Sequence, residues 1–402
     1  MSEVFGRPSG VCISFYAGNV MRVSQRGDVA PFQVMEVMEA ATRAEAAGKH
    51  IIHMEVGQPG TPAPKLAREA VARAMETGPL GYTNALGLPA LRKKIAALYD
   101  DWYGVSLNPD RVIVTTGSST GFTLAFTSLF DTGARVGIGA PGYPSYKAII
   151  QALGLETVMF QCAPENRYQP VPDDLPDDLD GLLVASPTNP AGTMLDKPAL
   201  SALMEACAAR GASFISDEIY HGIEYERKAV TALEVSDDAY IINSFSKYFS
   251  MTGWRIGWMV VPEDHIRQVE RLAQNFFICA PHVSQVAALA AIDAKDELEA
   301  NVEVYRKNRE LMKEGLPKCG FTKTAPPDGA FYFYVDVSDY TDDSAEFATQ
   351  ILNEAGVAVT PGVDFDPVRG SQMIRLSYCR STADVEEGLA RLQKFAERWM
   401  KP

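Results

Sequence analysis

Residues 239–261 read AYIINSFSKYFSMTGWRIGWMVV. Two apolar, strand-like runs, AYIINS and RIGWMVV, enclose a short segment that carries Ser244, Phe245, Ser246 and Lys247, and Arg255 follows eight residues after the lysine. Most lysines sit on open solvated faces. One held between two buried strands does not. A primary amine condenses with a carbonyl to form a Schiff base, while small hydroxyls and an arginine fork bind phosphate oxygens without bulk. This stretch therefore has the chemistry needed to hold a phosphorylated aldehyde covalently.

Upstream, the runs RVIVTT (111–116), ARVGIG (134–139), ETVMF (156–160), GLLVAS (181–186) and ASFIS (212–216) repeat the same short, apolar pattern between helical stretches. With the two runs above they make about seven buried strands. Strands alternating with helices predict an α/β fold, a mostly parallel seven-stranded sheet covered by helices. An amphipathic stretch, residues 31–49, predicts a helix with Pro31 at its start and Gly48 at its stop. Helical patterns cover 263–315. FYFYVDV (331–337) and MIRLSYC (373–379) read as strands, SAEFATQILNEAG (344–356) as a helix, and a last helix runs to Trp399. The expected division is an N-terminal segment, 1–56, joining a smaller α+β domain, 296–402, with a large domain over 57–295. There is no internal repeat and no low-complexity tract.

The chain has 402 residues and a net charge of -14, which disfavours a nucleic-acid surface, and no basic cluster reverses that. No run reaches the roughly 18 apolar residues of a membrane span, and the N-terminus lacks a signal-peptide pattern, so no membrane and a cytoplasmic location are expected. Cys12, Cys162, Cys207, Cys279, Cys319 and Cys379 are scattered without a CxxC pair, and histidines such as His221 and His282 lack ligand spacing. No metal site is expected.

Ligands of open parallel sheets bind beyond the carboxyl ends of strands, so the polar residues there are the candidates. After the first run come Ser118, Ser119 and Thr120 at a helix start, an arrangement suited to phosphate, although taken alone it reads first as ordinary N-capping. After GLLVAS, Asn189 lies between Pro187 and Pro190, which restrict its backbone and let its amide be aimed. After ASFIS, Asp217 needs a partner once buried; a protonated ring nitrogen, a helix start or an arginine would each serve. Gly137, Gly139 and Gly142 match GxGxxG, but the prolines at 141 and 144 interrupt the run, and dinucleotide binding is rejected. Tyr143 beyond that strand offers a flat ring for stacking.

The ordered set SPTNPAG (186–192), SDEIY (216–220), SFSKYFSMTGWRIGW (244–258), PDGAFYFY (327–334) and MIRLSY (373–378) resembles the class I/II aminotransferases of fold type I, the pyridoxal-phosphate-dependent group typified by aspartate aminotransferase. The likeness extends from about residue 31 to the last helix. It implies that Lys247 anchors pyridoxal 5'-phosphate and moves the proton, that Asp217 pairs with the pyridine nitrogen, and that Asn189 and Tyr220 hydrogen-bond the phenolic oxygen. It also implies that Tyr143 stacks on the ring and that Ser118, Ser119, Thr120, Ser244, Ser246 and Arg255 hold the phosphate. GPLGYTNALGLPALR (78–92) is similar to the segment that lends a tyrosine to the neighbouring subunit, which gives Tyr82 that role in a homodimer with shared active sites. Gly57 and Arg375 match residues that receive the substrate carboxylate. Where the family more often has an acidic residue, this chain has Gln58.

The implied activity is ping-pong transfer of an amino group from an L-amino acid to a 2-oxo acid. Elimination at a carbon-sulfur bond on the same scaffold is the main alternative; a non-catalytic regulator is a remote one, since no DNA-binding module precedes the first long helix. No cation is marked by its context for a second substrate carboxylate, although Arg22 and Arg26 lie near the N-terminus.

Overall fold

The computed structural model describes residues 22–398 and the backbone of Phe15–Tyr16 and Asn19–Val20; Cys12 and Trp399 lie outside the described residues. All seven expected apolar runs form strands of one sheet: β1 (Val112–Thr115), β2 (Arg135–Ala140), β3 (Glu156–Gln161), β4 (Gly181–Ala185), β5 (Ser213–Asp217), β6 (Tyr240–Ser244) and β7 (Gly257–Val260). Their spatial order is β1-β7-β6-β5-β4-β2-β3. The neighbours from β6 to β3 are parallel. β7 runs antiparallel to both β1 and β6, with Gly257 opposite Thr115 on one side and Ser244 on the other. Residues that follow β1 and β6 and residues that precede β7 are thereby brought to the same edge.

Helices cover the sheet because strands this apolar cannot face water on either side. The helix α1 (Gln33–Ala46) forms where the 31–49 pattern predicts it, one residue after Phe32, its N-cap. Helices α2 (Gly117–Leu129) and α3 (Pro144–Ala152) lead from the ends of β1 and β2. Lys65–Thr77 and Pro89–Tyr103 are also helical, two elements that the apolar-run pattern did not delineate. In the GxGxxG run, Gly137 and Gly139 lie within β2, where a Cβ would stand 2.8 Å from Leu179 Cδ1 and 2.6 Å from Cys162 Sγ respectively. Those glycines make room for sheet packing.

Toward the C-terminus β8 (Tyr332–Asp336) pairs antiparallel with β9 (Met373–Ser377), flanked by Lys323–Thr324 and Thr360–Pro361. Helices Ser344–Ala355 and Thr382–Ala396 pack beside them. Ile52–His53 pairs in parallel with Val357–Ala358, which ties the segment after α1 to the C-terminal region. One continuous apolar core runs from Leu91 and Trp258 through Phe245 and Phe249 to Phe331 and Leu376. Among the described residues no helix is long and apolar enough to cross a membrane, and no group of three or more His, Cys, Asp or Glu could hold a metal ion.

Candidate active site

At the edge where β5 and β6 end and β7 begins, a cavity of about 470 Å³ opens. Its walls include Gly57, Ser118, Ser119, Tyr143, Asn189 and Asp217, and on the other side Tyr220, Ser246, Lys247, Arg255 and Arg375. These come from segments more than 300 residues apart, joined by the topology above.

One end of the cavity is built for an anion. Gly117 opens α2 at φ +72°, and a Cβ there would fall 2.2 Å from Arg255 Nη2. Only glycine lets the guanidinium lie against that helix start. Arg255 itself adopts φ +49° and donates from Nη1 to the Thr252 carbonyl at 3.0 Å. Ser118 and Ser119 follow in the first turn of α2, and Ser246 faces them from beyond β6. Free N–H groups at a helix start, a guanidinium and small hydroxyls form an anion site. Two expected contributors stand back from it. Thr120 turns its hydroxyl to the Thr116 carbonyl, 3.0 Å away in the preceding turn, and lines no part of the cavity. Ser244 is buried behind Ser246, donating to its Oγ at 2.9 Å.

Lys247 forms the floor. Its Nζ donates to the Gly57 carbonyl at 2.8 Å, and enclosure lowers its pKa to about 8. At Gly57 a Cβ would stand 1.7 Å from Tyr332 Oη, so this wall also requires glycine. Asp217, the last residue of β5, is 3% exposed. Burial raises its pKa to about 6, against the lowering effect of hydrogen bonds from the Tyr146 hydroxyl and the Ile219 N–H. Neither partner is a cation. Burial also holds the Tyr146 and Tyr220 phenols protonated, well above the ordinary tyrosine range.

Arg375, on β9, is 3% exposed, with its guanidinium 4.5 Å from the Tyr332 ring centroid and 4.8 Å from that of Phe365. It donates only to neutral oxygens: Asn189 Oδ1 at 2.8 Å, the Glu55 carbonyl, and Thr360 Oγ1 at 3.2 Å. Its Nε is buried without a partner. A buried cation so placed calls for an anionic ligand. Tyr220 shares a 2.8 Å hydroxyl contact with Tyr332. Tyr143 packs edge to face against both Tyr146 and Phe32.

Tyr82 does not line this cavity: it is 84% exposed on the outer surface. Arg22 and Arg26 are likewise absent from the walls; the Arg26 side chain lies near Gly154, at the far end of α3. Tyr146, Tyr332 and Phe32 belong to the site and were not singled out from the sequence. Each meets its partner only through long-range folding, 71 residues separating Tyr146 from Asp217.

Comparison with known proteins places the chain in a family. The family described as "Aminotransferase class I and II" matches residues 49–392. Valine–pyruvate aminotransferase of Mycobacterium tuberculosis is 44% identical over 92% of this chain and 97% of its own length. A crystal structure of a candidate aminotransferase from Silicibacter pomeroyi superposes with a TM-score of 0.90 at 66% identity, covering 94% of this chain and all of the other. Aspartate aminotransferase from Thermus thermophilus with maleate gives 0.87 at 30% identity, covering 93% of this chain and all of the other. The chain belongs to the class I and II aminotransferases.

Proposed function

We propose that this aminotransferase uses pyridoxal 5'-phosphate, anchored on Lys247, to move an amino group from an L-amino acid to a 2-oxo acid in a ping-pong sequence. One observation carries the proposal: an enclosed lysine amine with its pKa drawn down to about 8 shares a cavity with a buried carboxylate, Asp217, that has no cationic hydrogen-bond partner. A phosphorylated, cationic ring aldehyde fits both, and its phosphate fits the anion site beside Gly117 and Arg255. When bound, the coenzyme supplies an aldehyde to carry nitrogen and a protonated ring to absorb charge released at the donor's α-carbon.

The protein's part is binding, orientation and proton movement. Asp217 would accept a hydrogen bond from the protonated ring nitrogen. Asn189, whose Oδ1 is engaged by Arg375, presents its amide N–H groups to the phenolic oxygen beside Tyr220. Tyr143 stacks on the ring. Ser118, Ser119, Ser246 and Arg255 hold the phosphate, with Ser244 orienting Ser246 from behind. Arg375 and the backbone at Gly57 receive the donor's α-carboxylate. With a donor bound, Lys247 Nζ would be placed to take the proton from the donor's α-carbon and to return it at the coenzyme's aldehyde carbon. A homodimer, with Tyr82 of each subunit reaching its partner's phosphate, completes the site.

Borohydride reduction of the holoenzyme followed by peptide mapping tests the anchor, and the label is expected on Lys247. A half-reaction with an amino acid alone should release one equivalent of oxo acid and no ammonia. A label on another lysine refutes the anchor; ammonia released with pyruvate in its place would establish elimination, which the aminotransferase relatives do not favour.

A further inference from the structure

We infer that the substrate's side chain lodges in a compact apolar compartment and that Phe32 sets its size limit by walling it off from a second chamber. The inference rests on the coenzyme reading above, which fixes the residues already engaged. Among the described residues, the charged side chains on the cavity wall are Asp217, Lys247, Arg255 and Arg375. The ring nitrogen, the covalent anchor, the phosphate and the α-carboxylate occupy all four. What remains near α1 and the Gly57 loop is Phe32, Val34, Met35, Val56 and Gln58. No cation is left to neutralise a second carboxylate, and burying one without a partner is costly.

Beyond this wall lies another cavity, about 560 Å³, between residues 28–33, α3 and the loop at 363–367. The two cavities have just two lining residues in common, Phe32 and Tyr143. Their rings meet edge to face, centroids 5.9 Å apart at 79°, and so form the partition. Tyr143 is committed to the coenzyme ring, which leaves Phe32 as the adjustable half. Phe32 is in turn held by Asp364, whose carboxylate accepts from the N–H groups of Gln33 and Val34 at 3.2 and 3.4 Å. That pins the start of α1 across the opening. Asp364 is thus a positioning residue for the partition. Removing the Phe32 ring joins the compartment to the second chamber, whose lining sets Ile138, Met159, Val363 and Phe365 beside the charged Asp28, Lys147 and Asp364; its apolar part suits an aromatic group.

The test compares wild type, Phe32→Ala and the milder Phe32→Leu. Half-reactions with L-valine, L-phenylalanine and L-aspartate give kcat/KM ratios, and calorimetry gives Kd for the non-reacting analogues isovalerate, 3-phenylpropionate and succinate. Wild type should favour valine over both other donors by about tenfold or more, and Phe32→Ala should raise the phenylalanine-to-valine ratio by about tenfold or more, with Leu between. The carboxylate Kd values should follow the same order. Ratios that stay within about twofold in both variants, or succinate bound by wild type as tightly as isovalerate, overturn the inference. Carboxylate binding judges the compartment without turnover, whereas failure to trap coenzyme on Lys247 refutes the coenzyme reading alone.

Discussion

Arg375 places a full positive charge in the interior, 3% exposed. Its guanidinium lies between two aromatic rings and donates to neutral oxygens alone, so a substrate carboxylate, as proposed, would be the first full counter-charge among its hydrogen-bond partners. Arg375→Ala should weaken carboxylate binding by about 2–5 kcal/mol, read as the rise in donor KM and in Kd for isovalerate; an unchanged donor KM would remove Arg375 from the site. Lys247 allows a pH prediction. Its folded pKa, about 8, lies below the 10.5 of a free lysine, so the amine is mostly neutral above pH 8 and becomes charged, at a cost in stability, as pH falls through that value. The rate at which apoprotein captures coenzyme should climb with pH and level off near pH 8. A plateau near 10.5, seen by stopped-flow absorbance, would mean the amine is not enclosed. Asp217→Ala should leave coenzyme bound yet suppress the half-reaction, and a wild-type rate would refute its pairing with the ring nitrogen.

Between β5 and the residues that follow it, the run SDEIYH carries a second buried set. Glu218 Oε1 accepts from the Ser216 and Thr231 hydroxyls and the Ala232 N–H, and burial raises its pKa to about 8. His221 Nε2 donates to the Ser186 carbonyl at 2.9 Å while the Tyr103 hydroxyl donates to Nδ1, and burial lowers this histidine to about 4. Both are neutral near pH 7. Between 4.5 and 8 the folded protein holds the Glu218 proton that the unfolded chain has released, so this contribution is fully present at low pH and is lost as pH rises through 8. Glu218→Gln should flatten the fall in Tm between about pH 5 and 8, whereas Glu218→Ala, leaving three donors unpaired, should cost about 1–3 kcal/mol in chemical denaturation. If Gln and Glu show the same pH profile, the carboxyl is already ionised at neutral pH. At this scale the sequence was most readable: β1, β4, β6 and β7 are almost wholly buried, so their apolar runs announce them. The motif residues Lys247, Asp217, Asn189 and Arg375 were legible because each directly follows, closes or lies within such a run or its adjoining loop. Tyr146 and Tyr332 were not, since an aromatic residue in an amphipathic helix or an apolar strand looks like core until the fold brings its hydroxyl to a partner. Two-residue strands such as Ile52–His53 and Thr360–Pro361 are too short to leave a periodic signal.

For the whole molecule, one exposed apolar region is where the proposed dimer would associate. Tyr82, Phe276 and Ile278 are 84, 50 and 53% exposed, and a 2.8 Å contact between His282 Nδ1 and the Gly81 carbonyl holds their two segments together. Sedimentation should show a dimer; Ile278→Glu should shift it toward monomer and weaken coenzyme retention, and a monomeric wild type would remove Tyr82 from the phosphate site. The reversed direction of β7 has its own outcome during synthesis. A chain that ends at residue 250 already includes Lys247, yet it lacks the strand that lies between two older ones and sets the Arg255 guanidinium at the opening of α2. The anion seat of the proposed coenzyme is therefore complete only once that strand has been made and inserted.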